Sequence, residues 1–159
     1  ALAAATSGPQ RRAAKIAYGD AILPAKVARK AALQSARIDY VEAAEQARID
    51  FLTIRGAHPE VVASARYRQA VNLATAEYRA AVTDAQATFR IQSAPIRITT
   101  RTAGSSASAG QVSHGAAESI RIATADITGV FRSQVSSARA TYQAKISVAR
   151  KILGTSLAT

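Results

Sequence analysis

A short phrase that returns every eleven residues constrains this sequence more than any other feature. Residues 36–51 read ARIDY-VEAAEQ-ARIDF, so alanine, arginine, isoleucine, aspartate and an aromatic residue recur after eleven positions. Looser copies run through most of the chain. All eight aromatic residues occupy the fifth position of a copy: Tyr18, Tyr40, Phe51, Tyr67, Tyr78, Phe89, Phe131 and Tyr142.

The apolar residues of each copy predict long α-helices. They fall at the first, fifth and ninth positions, as in Ala74, Tyr78, Val82 and then Ala85. Eleven residues in three turns is about 3.67 per turn, and a row with this period runs nearly straight along a helix. Alanine lets two helix backbones approach closely, while a tyrosine hydroxyl needs water or a partner. We therefore expect the aromatic residues to form an assembly stripe between helices, with a base-stacking or redox role for the tyrosines as the alternative.

Glycine and proline divide the predicted helices. Gly56 suits the C-terminal cap of one helix and Pro59 the first position of the next. A turn at 56–59 therefore predicts an antiparallel helical hairpin over 14–93. A proline inside a helix costs about 3 kcal/mol, so we expect a break or kink near Gly19–Pro24.

The linker over 94–115 differs from the helical segments. Its β-branched residues alternate over 96–102, which is typical of a short strand, and glycines and serines follow. The linker could be a flexible crossover, or its strand could pair with another subunit through Ile96, Ile98 and Thr100. The remaining segments are predicted to be a flexible N-terminal arm, a third long helix and a tail, over 1–13, 116–154 and 155–159.

These features predict an all-α fold: an elongated antiparallel helical hairpin plus a third long helix, forming an eleven-residue-repeat helical bundle with a short β-strand in the linker. Of the 159 residues, 48% are hydrophobic, but alanine makes up much of that fraction and there is no tryptophan. Because alanine removes little surface from water, a monomer of this composition has a thin core. Self-association into a homo-oligomer or homopolymer is therefore favoured.

The net charge of +11 permits binding to nucleic acid, anionic lipid or an acidic protein. The arginines are scattered along the repeats, which is typical of a solvated polar face. Contacts with the carboxylates of a neighbouring subunit and binding of a polyanion are the two alternatives. Candidate residues for either role are Arg11, Arg12, Arg132, Arg139, Lys145, Arg150 and Lys151.

The sequence carries few groups suited to chemistry. There is no cysteine, and neither His58 nor His114 has a second ligand three or four residues away, so we expect no metal site and no cofactor. Carboxylate pairs such as Asp39–Glu42 are expected to be surface ion-pair partners, and we expect no enzymatic activity. No apolar run approaches the roughly 18–20 residues of a membrane span, which argues against a membrane as partner.

The favoured function is a structural, self-assembling subunit of an extracellular or cell-surface filament or sheath. The opening residues ALAAA resemble what cleavage at a small-residue site leaves behind, although a proteolytic fragment would look the same. The alternative is a basic protein that coats nucleic acid, as a virion or nucleoid component, through helix arginines. An amphipathic protein of lipid surfaces is a third interpretation.

Overall fold

The computed structural model describes residues 8–106 and 114–158. These residues form three α-helices: α1 (Gly8–Ile54), α2 (Pro59–Ser106) and α3 (His114–Leu157). α1 and α2 pack as a hairpin, and α3 follows, so the predicted all-α fold is confirmed. Parts of three predicted segments lie outside the described residues, namely the arm before Gly8, the linker over 107–113 and the tail residue Thr159.

The turn between α1 and α2 is fixed by its own backbone hydrogen bonds. The amide of Ala57 donates to the carbonyl of Leu52, and that of Gly56 donates to Thr53, both at 3.0 Å. This pair of bonds defines a Schellman cap, which needs a residue with positive φ, and Gly56 has a φ of 70°. α2 then begins at Pro59, and the carbonyl of His58 accepts the amide of Val61 at 2.9 Å. So short a connection makes the two helices antiparallel neighbours.

α1 runs through Pro24 as one helix, so the break predicted near Gly19–Pro24 is wrong, whereas the alternative of a kink stays a prediction. Pro24 has no amide hydrogen and leaves the carbonyl of Asp20 without its helical partner. The Pro24 side chain is exposed, and water can reach this side of the helix. Ile16 and Val27 are half-buried on one side of α1 before and after the proline, so the helix keeps an apolar face across it.

The strand predicted over 96–102 is also wrong, because α2 continues through Pro95 to Ser106. Ile96, Ile98 and Thr100 therefore lie in a helix and offer no strand for pairing with another subunit. The described residues include no strand that could complete a ladder with this segment. A helix satisfies the backbone groups locally, whereas a lone strand leaves them unpaired.

The helices contribute to two compact units. Of the described residues, 8–29, 85–106 and 114–132 belong to the first unit, and 30–84 and 133–158 belong to the second. Each unit takes one segment from each helix. The turn at Gly56 lies in the second unit.

The buried core is small and consists mostly of alanine. Among the described residues, six apolar side chains are buried, and five of them are alanine: Ile49, Ala65, Ala74, Ala76, Ala85 and Ala149. Each alanine removes little area from water, at about 25 cal/mol per Å². The half-buried aromatic and aliphatic side chains around them therefore contribute most of the apolar burial.

Candidate assembly surface

Each helix carries an aromatic row, defined as the residues at the first, fifth and ninth positions of the repeat. In the second unit, the α3 row includes Ala138, Tyr142 and Ile146, which are half-buried, and Ala149, which is buried. The row on α2 is half-buried or buried throughout as well: Ala63, Tyr67, Val71, Ala74, Tyr78 and Val82. Steps of four, four and three residues thus describe the inward faces of both helices.

In the second unit, the aromatic rows of α2 and α3 face each other. The ring centroids of Tyr78 and Tyr142 lie 5.5 Å apart, with an angle of 43° between the ring planes. Tilted ring pairs at this distance are favourable beyond the area they bury. Beside the rings, the ammonium of Lys145 pairs with the carboxylate of Glu77. This ion pair and the ring pair fix the register of α3 on α2.

The first unit repeats the same pairing. The ring centroids of Phe89 and Phe131 lie 5.4 Å apart at an interplanar angle of 53°, and Ala85 beside them is buried. Phe89 follows Tyr78 by eleven residues, and Phe131 precedes Tyr142 by eleven. Four of the eight aromatic residues predicted to form the assembly stripe therefore pair within one chain.

α1 packs on α2 through a different row, formed by the third position of each repeat. In the second unit, Ile38 is half-buried and Ile49 is buried. On α2, the third-position residues Ala65 and Ala76 are buried too. The packing thus combines bulky side chains of α1 with small ones of α2.

Polar side chains fix the register between α1 and α2. The amide nitrogen of Asn72 donates to a carboxylate oxygen of Glu45 at 2.5 Å, and that of Gln69 donates to Gln46 at 3.2 Å. The other carboxylate oxygen of Glu45 is buried without a hydrogen-bond partner. A charged group held in this way depends on its remaining partner.

The sequence already carried the signal for this second row. Every eleventh residue of α1 is β-branched and aliphatic, at Ile16, Val27, Ile38 and Ile49. At the same position of the repeat, α2 has alanine at 65, 76 and 87. Helix α2 therefore has small residues on two opposite faces, and both faces are buried, as expected for a helix between two neighbours. Helix α3 has Gly129 and Ala140 at the same position of the repeat, but both are exposed.

In the second unit, the aromatic row of α1 is exposed. It lies two residues, or about 200°, from the third-position row that packs on α2. Tyr40 is 73% exposed, Leu33 58% and Phe51 55%. The three alanines of the row are exposed as well: Ala36, Ala44 and Ala47. In the first unit, Tyr18 on α1 is also more than half exposed.

The Phe51 ring has one polar neighbour. The guanidinium carbon of Arg55 lies 5.5 Å from the ring centroid, within the range of a cation–π contact. Arg55 occupies the ninth position of its repeat, where the other copies have an uncharged residue, most often an aliphatic one. The α1 row therefore ends in a charge beside the hairpin turn.

The predicted polyanion contacts do not share one face of α3. Arg139 and Arg150 are eleven residues apart and lie on the same side, but Lys145 follows Arg139 by six residues, about 240° further round. Lys145 is also paired with Glu77. All seven candidate residues are exposed: Arg11, Arg12, Arg132, Arg139, Lys145, Arg150 and Lys151. Their role as polyanion or subunit contacts stays a prediction.

One ion pair lies wholly at the surface of the first unit. The guanidinium of Arg121 donates two hydrogen bonds to Glu118, at 3.0 and 2.7 Å. These bonds raise the pKa of Arg121, whose side chain is 78% exposed. The pair follows helical i, i+3 spacing and is typical of a solvated helix face.

A groove of about 680 Å³ lies in the second unit and is lined by all three helices. Asp50 and Arg66 are its charged lining residues. The rest of the lining is apolar or uncharged, and includes Thr53 and Ile54 of α1, Tyr67 of α2, and Ile152 and Leu153 of α3. Within residues 8–106 and 114–158, no three histidine, cysteine, aspartate or glutamate side chains are grouped so that they could hold a metal ion.

Over the part of the chain that the structure describes, no helix has a stretch both long and apolar enough to cross a bilayer. No family model matches the chain, and no curated protein or solved structure matches it. The function must therefore be inferred from the contacts and surfaces of the chain itself.

Proposed function

We propose that this chain is a structural subunit that self-associates through helix faces of alanine and aromatic residues, forming a filament or sheath at the cell surface or outside the cell. The observation that carries the proposal is the amount of large apolar surface left in water. Of the described residues, twelve large hydrophobic side chains are exposed, whereas six apolar residues are buried. Tyr40 and Ile54 are among the most exposed, at 73% and 86%.

Two physical arguments support the proposal. Scattered exposed apolar residues are ordinary, but a contiguous row of them on one helix face is typical of an interaction surface. In addition, an alanine core gives each chain little apolar burial, so contacts between chains would add substantially to stability. Both arguments favour a partner that presents apolar helix faces of its own.

Sedimentation velocity over a wide concentration range, combined with electron microscopy without added nucleic acid, tests the proposal. We expect concentration-dependent association and ordered filaments or sheets. Dispersed monomers at every concentration would contradict the proposal. Fractionation of native material with an antibody against the chain tests the proposed location.

A second candidate function, coating of nucleic acid, is supported by the distribution of charge. From Ile127 to the end of the sequence there are five basic residues and no acidic residue: Arg132, Arg139, Lys145, Arg150 and Lys151. Binding to phosphates releases counterions, so affinity for duplex DNA should fall linearly with salt on a logarithmic plot. A titration between low and physiological salt tests this, and binding that is absent or insensitive to salt would exclude it.

A further inference from the structure

We infer that the aromatic row of α1 in the second unit, formed by Leu33, Ala36, Tyr40, Ala44, Ala47 and Phe51, is the surface by which two copies of this chain join. The two α1 helices run parallel and meet in register. The inference rests on the proposed function and deepens it, because it names the face, the occupant and the orientation.

The occupant follows from what the same row does elsewhere in the chain. On α2 and α3 the row has alanine at the first position and an aromatic residue at the fifth, and there it packs against another such row with rings 5.5 Å apart. α1 repeats that composition and spacing, yet the row faces away from α2 and is exposed. Because a row of this composition packs against another row of the same composition, we expect the α1 row to be covered by the α1 row of a second copy of the chain.

The surface to be gained is concentrated in the rings. Tyr40 and Phe51 are each more than half exposed, and an enclosed aromatic side chain buries about 150–250 Å². A two-fold pairing uses the same patch on both copies, so it removes four such rings from water at once. Exposed alanines between the rings allow the two backbones to come close.

The charges that border the row decide the orientation. Arg37 and Arg48 occupy the second position of the repeat and lie on one side of the row, about 100° from its first-position alanines. Asp39 and Asp50 occupy the fourth position and lie on the other side, about 100° from the fifth-position aromatic residues. In an antiparallel pair, the arginine side of one helix would face the arginine side of the other. In a parallel pair, arginines face aspartates, as flanking charges do when they set helix orientation.

An ion pair within the chain shows that side chains bordering an aromatic row can contact each other across two packed helices. Glu77 occupies the fourth position of its repeat, and its carboxylate pairs with Lys145 on the opposite helix. A fourth-position aspartate has a shorter side chain, but the facing arginine has a longer one. The parallel pair therefore brings the rings together and places arginines beside Asp39 and Asp50, of which Asp50 also accepts a hydrogen bond from Gln46 of its own chain at 2.8 Å.

The test of the face uses two matched double variants, Tyr40→Ser with Phe51→Ser on α1 and Tyr78→Ser with Tyr142→Ser between α2 and α3. Sedimentation velocity and circular dichroism are measured for both and for the unaltered chain. We expect the α1 variant to keep its helicity and melting temperature as a monomer, and to associate at least tenfold more weakly. Association of the α1 variant equal to that of the unaltered chain would overturn the inference.

The test of orientation uses single cysteines, because the chain has none of its own. In a parallel pair in register, Ala44 faces Ala44 of the other copy, so Ala44→Cys should form a disulfide dimer on mild oxidation. Ser35→Cys, an exposed position away from the row, should not. Cross-linking only in a mixture of Ala44→Cys and Ala47→Cys chains would show an antiparallel pair and overturn the inference.

These outcomes separate the inference from the proposed function. If the unaltered chain stays monomeric, both fail. If the unaltered chain associates and the α1 double variant associates equally well, the proposed function stands and the α1 face is excluded.

Discussion

The aromatic row of α1 and those of α2 and α3 are built by one sequence rule and have opposite environments. In the second unit, Tyr78 and Tyr142 pack ring against ring, whereas Tyr40 and Phe51 face water. The repeat therefore determines which kind of surface a helix face can pack against. The connection between two helices determines whether that face meets such a surface within the chain. The short turn at Gly56 places α1 against α2 through the third-position row, which leaves the aromatic row of α1 exposed.

The largest effect expected from this difference is on folding. Tyr142→Ala removes one ring of an internal pair, so we expect the free energy of unfolding to fall by about 3 kcal/mol. Tyr40→Ala removes an exposed ring, and in dilute monomer we expect a change within about 0.5 kcal/mol. Urea denaturation of both variants at one low concentration measures the contrast, and equal losses would show that the two rows are not energetically distinct.

The next effect concerns the face that α1 does use. Asn72→Ala leaves the Glu45 carboxylate with neither oxygen paired to the opposite helix, and we expect a loss of about 2 kcal/mol, typical of a hydrogen bond to a charged group. Gln69→Ala is the matched control, because its bond to Gln46 is longer and exposed. Thermal melts of the two variants should rank them in that order, and a reversed order would mean that Glu45 finds water instead.

Two glycines sharpen the comparison further. Gly56 has positive φ, so Gly56→Ala should destabilise the hairpin by about 1–2 kcal/mol. Gly129 is a helical glycine at the third position of α3, where an added methyl group would meet no atom within 4 Å. Gly129→Ala should therefore stabilise the chain by about 0.5–1 kcal/mol, measured by urea denaturation. Destabilisation by Gly129→Ala would show that the third-position face of α3 is packed.

The smallest effect is expected at the ion pairs. Lys145 and Glu77 are partly exposed, so Lys145→Ala should cost no more than about 1 kcal/mol, and less in high salt. Arg121→Ala is the control, since its ion pair with Glu118 is at the surface and we expect no measurable change in melting temperature. If Lys145→Ala lowered the free energy of unfolding as much as Tyr142→Ala, the ion pair and not the ring pair would be the main determinant of the register between α2 and α3.

Much of the fold could be predicted from the sequence because its signals are local. The eleven-residue steps predict helices, and Gly56 followed by Pro59 predicts the turn that the structure contains. The prediction of a strand over 96–102 was wrong because alternating β-branched residues form a strand only beside a partner strand, and the described residues contain none. The break predicted at Pro24 was wrong for a related reason. The proline destabilises only the turn of helix next to it, and the helical segments on either side outweigh this local cost.

Which aromatic rows are packed within the chain and which are exposed could not be predicted from the positions of the aromatic residues alone. Tyr40 and Tyr78 occupy equivalent positions, and only the second row on α1, with Ile38 and Ile49, distinguishes them. Which row is buried depends on which faces of two helices contact each other, and those contacts form only when the helices pack together. The alanines at 65 and 76 of α2 are the sequence signal that comes closest to predicting it.

The repeat length has a further consequence for how such a chain can change in size. A contact surface with an eleven-residue period looks the same after a shift of eleven residues, or about 16 Å along the helix. Adding or deleting one whole copy in both α2 and α3 would therefore preserve every ring-to-ring match between them. Insertions far from a whole number of turns, such as about two or five residues, would turn the aromatic face away from its partner. Whole-copy changes in α2 and α3 would thus keep the ring contacts between these two helices, and a matching change in α1 would be needed to keep its contacts with α2.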